Sequence, residues 1–126
     1  MGNALEVIDL GTDFDVDHVS CGYHHTCALS TSNELKCFGR NDYGQLGYGH
    51  TDNIGNAAGE MGDFLSSVDV GTNFVPIQVD CGSYFTCALS TDFGVKCWGR
   101  YIVSLFEIAK HIKYHTSSHH ISFLQQ

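Results

Sequence analysis

Up to residue 100 the apolar positions alternate with polar ones instead of recurring at a helical period. Short runs with β-branched residues, His18-Val19-Ser20-Cys21 and Ile77-Gln78-Val79-Asp80-Cys81, each stop at a glycine. Such residues fit a pleated surface and glycine interrupts it, so both runs predict strands. Thr26-Cys27-Ala28-Leu29-Ser30 and Leu35-Lys36-Cys37-Phe38-Gly39 follow, separated by the polar stretch Thr31-Ser32-Asn33-Glu34. Turn residues between two short strands predict a hairpin. After Arg100 the pattern changes. Ile102, Leu105, Phe106, Ala109 and Ile112 share one helical face, which predicts either a C-terminal helix or a tail foreign to the rest.

The strand pattern is written twice. Residues 9–40 and 69–100 align with roughly half their positions identical, at the long period of repeat architectures. Cys21-Gly22 returns as Cys81-Gly82, and Thr26 to Thr31 returns as Thr86 to Thr91. Lys36-Cys37 and Gly39-Arg40 return as Lys96-Cys97 and Gly99-Arg100. A hairpin turning at Ser32 sets Cys27 opposite Cys37 and Leu29 opposite Leu35 on one face, because side chains alternate along a strand. The other face takes Thr26, Ala28, Lys36 and Phe38. The same register sets Cys87 opposite Cys97, Leu89 opposite Val95 and Thr86 opposite Trp98. Directly opposed cysteines stand about 4–5 Å apart at Cβ, within reach of a disulfide. Cys27–Cys37 and Cys87–Cys97 bridges are therefore expected in an oxidising compartment. Cys21 and Cys81 are expected to be small buried residues.

The stretches Cys21-Gly22, His25 to Leu29 and Phe38 to Gly47 resemble the RCC1-type (regulator of chromosome condensation) repeat. Cys81-Gly82, Thr86 to Leu89 and Cys97 to Arg100 resemble it again. The resemblance covers residues ~6 to 100 and implies an all-β chain of β-propeller blades, each stacking on its neighbours. Gly22, Gly39, Gly44, Gln45, Leu46, Gly47, Gly82, Trp98 and Gly99 match the repeat's motif. Phe38 and Trp98 hold one equivalent place, expected to pack between blades. A propeller typically has four to eight blades, so about two units imply an incomplete propeller. The expected division is a partial repeat at 1–40, a repeat at 41–100 with an insertion loop near 50–66, and a non-repeat tail at 101–126. Further blades or self-association would cover the open edges. The insertion loop is a candidate contact region.

Charge then narrows the partners. The chain has 126 residues, a formal charge of -8 and no Lys/Arg run. Phosphate backbones repel such a chain, so no direct nucleic-acid binding is expected. Nor is membrane insertion, since the longest apolar run, Tyr101 to Ala109, is short and contains Glu107. No signal peptide is legible at the start. Paired cysteines nonetheless tilt the reading toward a secreted or lumenal parent protein.

Catalytic and metal motifs are weak. Asp13-Phe14-Asp15-Val16-Asp17 suggests a calcium loop, but His18 and His24 stand where Gly and Glu are required. The cysteine spacing within one repeat is not a zinc pattern. His111, His115 and His119 would line only one helix. His25 beside Cys27 is not matched in the second copy, which has Phe85. The expectation is a non-catalytic protein-binding module with no cofactor. The alternatives are a guanine-nucleotide exchange factor-like regulator or an extracellular or periplasmic enzyme-inhibitor-like repeat protein.

Overall fold

The computed structural model describes residues 2–100 and a strand at 120–123. The helix expected over Ile102 to Ile112 lies outside the described residues. Strands β1 (Val16–Cys21), β2 (His25–Ser30) and β3 (Leu35–Gly39) form one antiparallel sheet. Strands β4 (Pro76–Cys81), β5 (Phe85–Ser90) and β6 (Gly94–Gly99) form a second, to which β7 (His120–Phe123) adds in parallel. No α-helix occurs among the described residues, and none there is long and apolar enough to cross a membrane.

The hairpin register is the one the alternation predicts. Cys27 faces Cys37 and Leu29 faces Leu35, while Cys87 faces Cys97 and Leu89 faces Val95. Both cysteine pairs are bonded, each with Cα atoms 4.1 Å apart. Each sheet also carries the same bulge in its first strand, at Val16/His18 and Pro76/Gln78. A bulge adds local twist, so the two sheets bend alike.

Alternation gives each sheet two faces with different tasks. Cys27, Leu29, Leu35 and Cys37 of the first sheet pack with Val79, Ala88 and Trp98 of the second. Leu46, Val68 and Phe74 from the connecting chain complete this core. Cys87, Leu89, Val95 and Cys97 form the equivalent face of the second sheet. The repeated lysines hold the incoming chain on each sheet. Lys36 Nζ donates to Leu10 O at 2.6 Å over the Phe14 ring, and Lys96 Nζ donates to Val70 O at 2.7 Å over the Phe74 ring.

Cys21 departs from expectation: it is exposed, whereas Cys81 is partly buried. The first sheet covers Cys81, and no sheet stands on the corresponding side of Cys21 among the described residues.

The hairpin turns contain one strained position. Asn33 and Phe93 sit at the same point with φ of 65° and 64°. Asn tolerates this left-handed conformation, but a bulky aromatic does not. Phe93 is half exposed, so little packing holds it there. Phe93→Asn should therefore raise stability by about 1 kcal/mol. A urea midpoint unchanged or lowered would show that Phe93 is not strained.

Candidate protein-interaction face

The Gly44-Gln45-Leu46-Gly47 segment is the joint between the sheets. Gln45 and Leu46 are fully buried. Gln45 Oε1 accepts from Tyr43 N, closing the turn on itself. The Gln45 carbonyl accepts from Thr86 Oγ1 at 2.7 Å and from Trp98 Nε1 at 3.0 Å. Gly47 has φ of 84°, and a Cβ there would stand 2.7 Å from Trp98 Nε1. Asn41 fixes the same loop, donating to the His50 and Asp52 carbonyls and accepting from Leu46 N. Trp98 is thus packed between sheets, against the loop that leaves the first one.

Gly22 and Gly82 occupy the β1–β2 and β4–β5 turns, where a Cβ would collide with the rings of His25 and Phe85. Gly39 and Gly99 end β3 and β6. These glycines let four loops crowd together at one edge. Arg40 N donates to His24 O, Arg100 N donates to Tyr84 O, and Tyr23 N donates to Ser83 O across the sheets.

That crowding assembles an aromatic and cationic surface. Tyr23 and Tyr43 meet Tyr84 edge-on, with centroids 5.8 and 5.3 Å away. Arg100 lies over Tyr43 at 4.9 Å and over Tyr84 at 5.7 Å, and Arg40 lies 5.9 Å from Tyr84. Arg40 also pairs with Asp42 at 2.5 Å, and its hydrogen bond holds the Asp42 carboxyl below its usual pKa. Tyr23 is 69% exposed and Tyr43 39%, so the patch faces solvent. Sequence reasoning missed it. Arg40 and Arg100 repeat, but Tyr84 stands where the first copy has His24, and nothing along the chain links it to Tyr43.

One carboxylate closes the turn at residues 55–60 within the stretch between the two sheets. Glu60 accepts from Gly55, Asn56 and Ala57 N–H groups, which lowers its pKa. Asp63 binds Thr12 through both backbone and hydroxyl, tying the loop to the chain's start.

A second cluster lies under the surface, between the sheets. His25 is 3% exposed. The single Thr86 hydroxyl proton goes to Gln45 O, so His25 Nε2, 2.9 Å from Thr86 Oγ1, must donate. That assigns the lone pair to Nδ1, which has no hydrogen-bond partner. Burial pushes the His25 pKa below its ordinary value. The unfolded chain takes up this proton near pH ~6.5 and the folded one only at lower pH. The stability from neutral His25 is thus complete above that pH and lost as pH falls, by at most about 1.4 kcal/mol per pH unit. His25→Phe, which copies Phe85, should flatten the fall in stability between pH ~6.5 and ~5. Equal slopes for both chains in urea titrations would contradict it. Asp42, Glu60, Asp63 and Asp92 all have lowered pKa values, so their contributions fade only in more acid solution.

The regulator of chromosome condensation (RCC1) repeat family matches residues 16–45 and 77–100. The chain carries RCC1-type repeats. It is 36% identical over 89 residues to the human probable E3 ubiquitin-protein ligase HERC4, covering 71% of this chain and 8% of that protein. The crystal structure of human WBSCR16 superposes with a TM-score of 0.55 at 27% identity, over 71% of this chain and 21% of that one. Yeast RCC1 (Prp20), solved bound to Kap60, gives a TM-score of 0.56 at 18% identity, over 73% of this chain and 21% of that one. The two sheets are blades of an RCC1-type β-propeller, and the chain spans only a part of each relative's length.

Proposed function

We propose that this chain is the two-blade part of a non-catalytic, protein-binding RCC1-type propeller, and that its loop face receives an acidic partner segment. The observation that carries this reading is the fate of its cations. Residues 1–100 contain four Lys or Arg residues. Lys36 and Lys96 spend their ammonium groups on backbone carbonyls. Arg40 and Arg100 converge on Tyr84 at the exposed face. Among the described residues, Arg100 thus leaves its charge at one aromatic place, beside the Arg40–Asp42 pair. Arginine and tyrosine dominate binding energy where they cluster. Yeast RCC1, as its structure states, binds Kap60, which supports protein binding as the task of such blades.

The test is a peptide array of glutamate-rich sequences with lysine-rich counterparts of equal length. The glutamate set should bind, and binding should weaken with salt as charges are screened. A Tyr84→Ala, Arg100→Ala double variant should lose at least about tenfold, since truncated aromatic and arginine hot spots often cost 2 kcal/mol or more. Equal binding of both sets, or an unaffected double variant, would reject the acidic partner.

A further inference from the structure

The cluster buried between the blades has the donors of a soft-metal site. A ring nitrogen of His25 and the sulfurs of Cys27 and Cys81 all lie within 4.8 Å of one another. His25 and Cys27 come from β2 and Cys81 ends β4, so the three join two blades. Ligands around a tetrahedral zinc stand about 3.5–4 Å apart. Side-chain shifts of about 1 Å would therefore close the set. Thr86 lies 2.9 Å from His25 and 3.8 Å from the Cys27 sulfur, and Cys81 Sγ donates to Ser20 O at 3.4 Å. His25 Nδ1 is buried and has no hydrogen-bond partner. Spacing within one repeat could not reveal this set, because it takes two residues from one copy and one from the next.

In the structure Cys27 is bonded to Cys37, which withholds one ligand. We propose that once this bond is reduced the chain binds one zinc ion between the blades, through His25, Cys27 and Cys81. Reduction consumes two thiols of a small monothiol, which leave joined as their own disulfide, and it frees Cys27 and Cys37 as thiols. Cys37 lies outside the three-residue cluster, so a water molecule completes the four-coordinate set. Each coordinating thiol gives up its proton to solvent as the metal enters. Thiolate and imidazole donors select zinc over magnesium or calcium. The second blade carries Phe85 at the His25 position, so the repeat does not copy this ligand set forward. The bound ion would tie the blades together only under reducing conditions, when the hairpin disulfide no longer staples the first one.

Cobalt(II) is the direct probe, because tetrahedral thiolate ligation gives it intense visible bands. The full chain carrying Cys87→Ser and Cys97→Ser, reduced with a phosphine, should develop these bands at one equivalent, and zinc should bleach them. The oxidised chain should not. Adding Cys81→Ser or His25→Gln should weaken binding by at least about a hundredfold, more than loss of an outer partner costs. A companion measurement needs no substitution at a ligand. Zinc should slow alkylation of Cys81 in the reduced chain and leave Cys21 unaffected. No bands from the reduced chain, an undiminished affinity in Cys81→Ser, or a Cys81 alkylation rate indifferent to zinc would overturn the proposal.

Discussion

Trp98→Ala should lower the unfolding free energy by about 3–5 kcal/mol, as for other buried large aromatics cut to alanine. That would be a large share of a typical domain's 5–15 kcal/mol. Trp98 is 6% exposed and stands in the core shared by both blades. Its loss opens a cavity beside Gly47 in the core it shares with Val68. Collapse into that cavity is limited, because Gly47 holds a left-handed turn and Gln45 is anchored from two sides. Trp98→Phe should cost much less. It keeps most of the volume and gives up one hydrogen bond, worth about 1 kcal/mol, to a carbonyl that Thr86 still serves. Phe38 already fills the equivalent place in the first blade. Urea denaturation checks both, with the alanine chain losing midpoint at constant slope. An alanine variant within about 1 kcal/mol of the parent would mean that the blades do not depend on this contact.

The contrast between what could and could not be read along the chain follows from distance. Strand positions, hairpin register and the Cys27/Cys37 opposition depend on residues within about twenty of each other, and alternation with turn chemistry encodes them. The shared repeat then carried the family. Contacts across sixty residues left weaker marks. Lys36 and Lys96 repeat, yet nothing in the pattern says that a lysine will be buried on a backbone carbonyl. Thr86 read as one more strand threonine, and only the packed blades show it joining His25 to Gln45. The sequence marks Cys81 as a small buried residue, but its nearness to Cys27 comes from β4 packing on the first sheet. The interaction face is hardest to foresee. Tyr23, Tyr43 and Tyr84 come from three separate loops, and short glycine turns bring them together. Cys21 marks the opposite limit, since its exposure depends on whether another blade stands beside it.

Reduction of both hairpin disulfides, with a chelator present to exclude metal, should cost about 5 kcal/mol in total. Each bond joins cysteines ten residues apart. Loop-closure entropy for a ring of that size gives a little under 3 kcal/mol per bond at 25 °C. The estimate is an upper one, because a hairpin that persists in the unfolded chain has already lost part of that entropy. The bonds matter more here than in a larger core. Cys27 and Cys37 are fully buried in the interface between blades, and their partners Leu29 and Leu35 lie on the same face. Thiol counting comes first: two of the six cysteines should react in denaturant before reduction, and all six after it. Urea curves with and without a phosphine then give the difference. Serine pairs separate the two bonds. Cys27→Ser with Cys37→Ser also buries two hydroxyls in the inter-blade core, which costs extra unless they find partners. That pair should therefore be more damaging than Cys87→Ser with Cys97→Ser. Six reactive thiols in the untreated chain would remove the bonds from the account of stability and leave the inter-blade core to hold the fold alone.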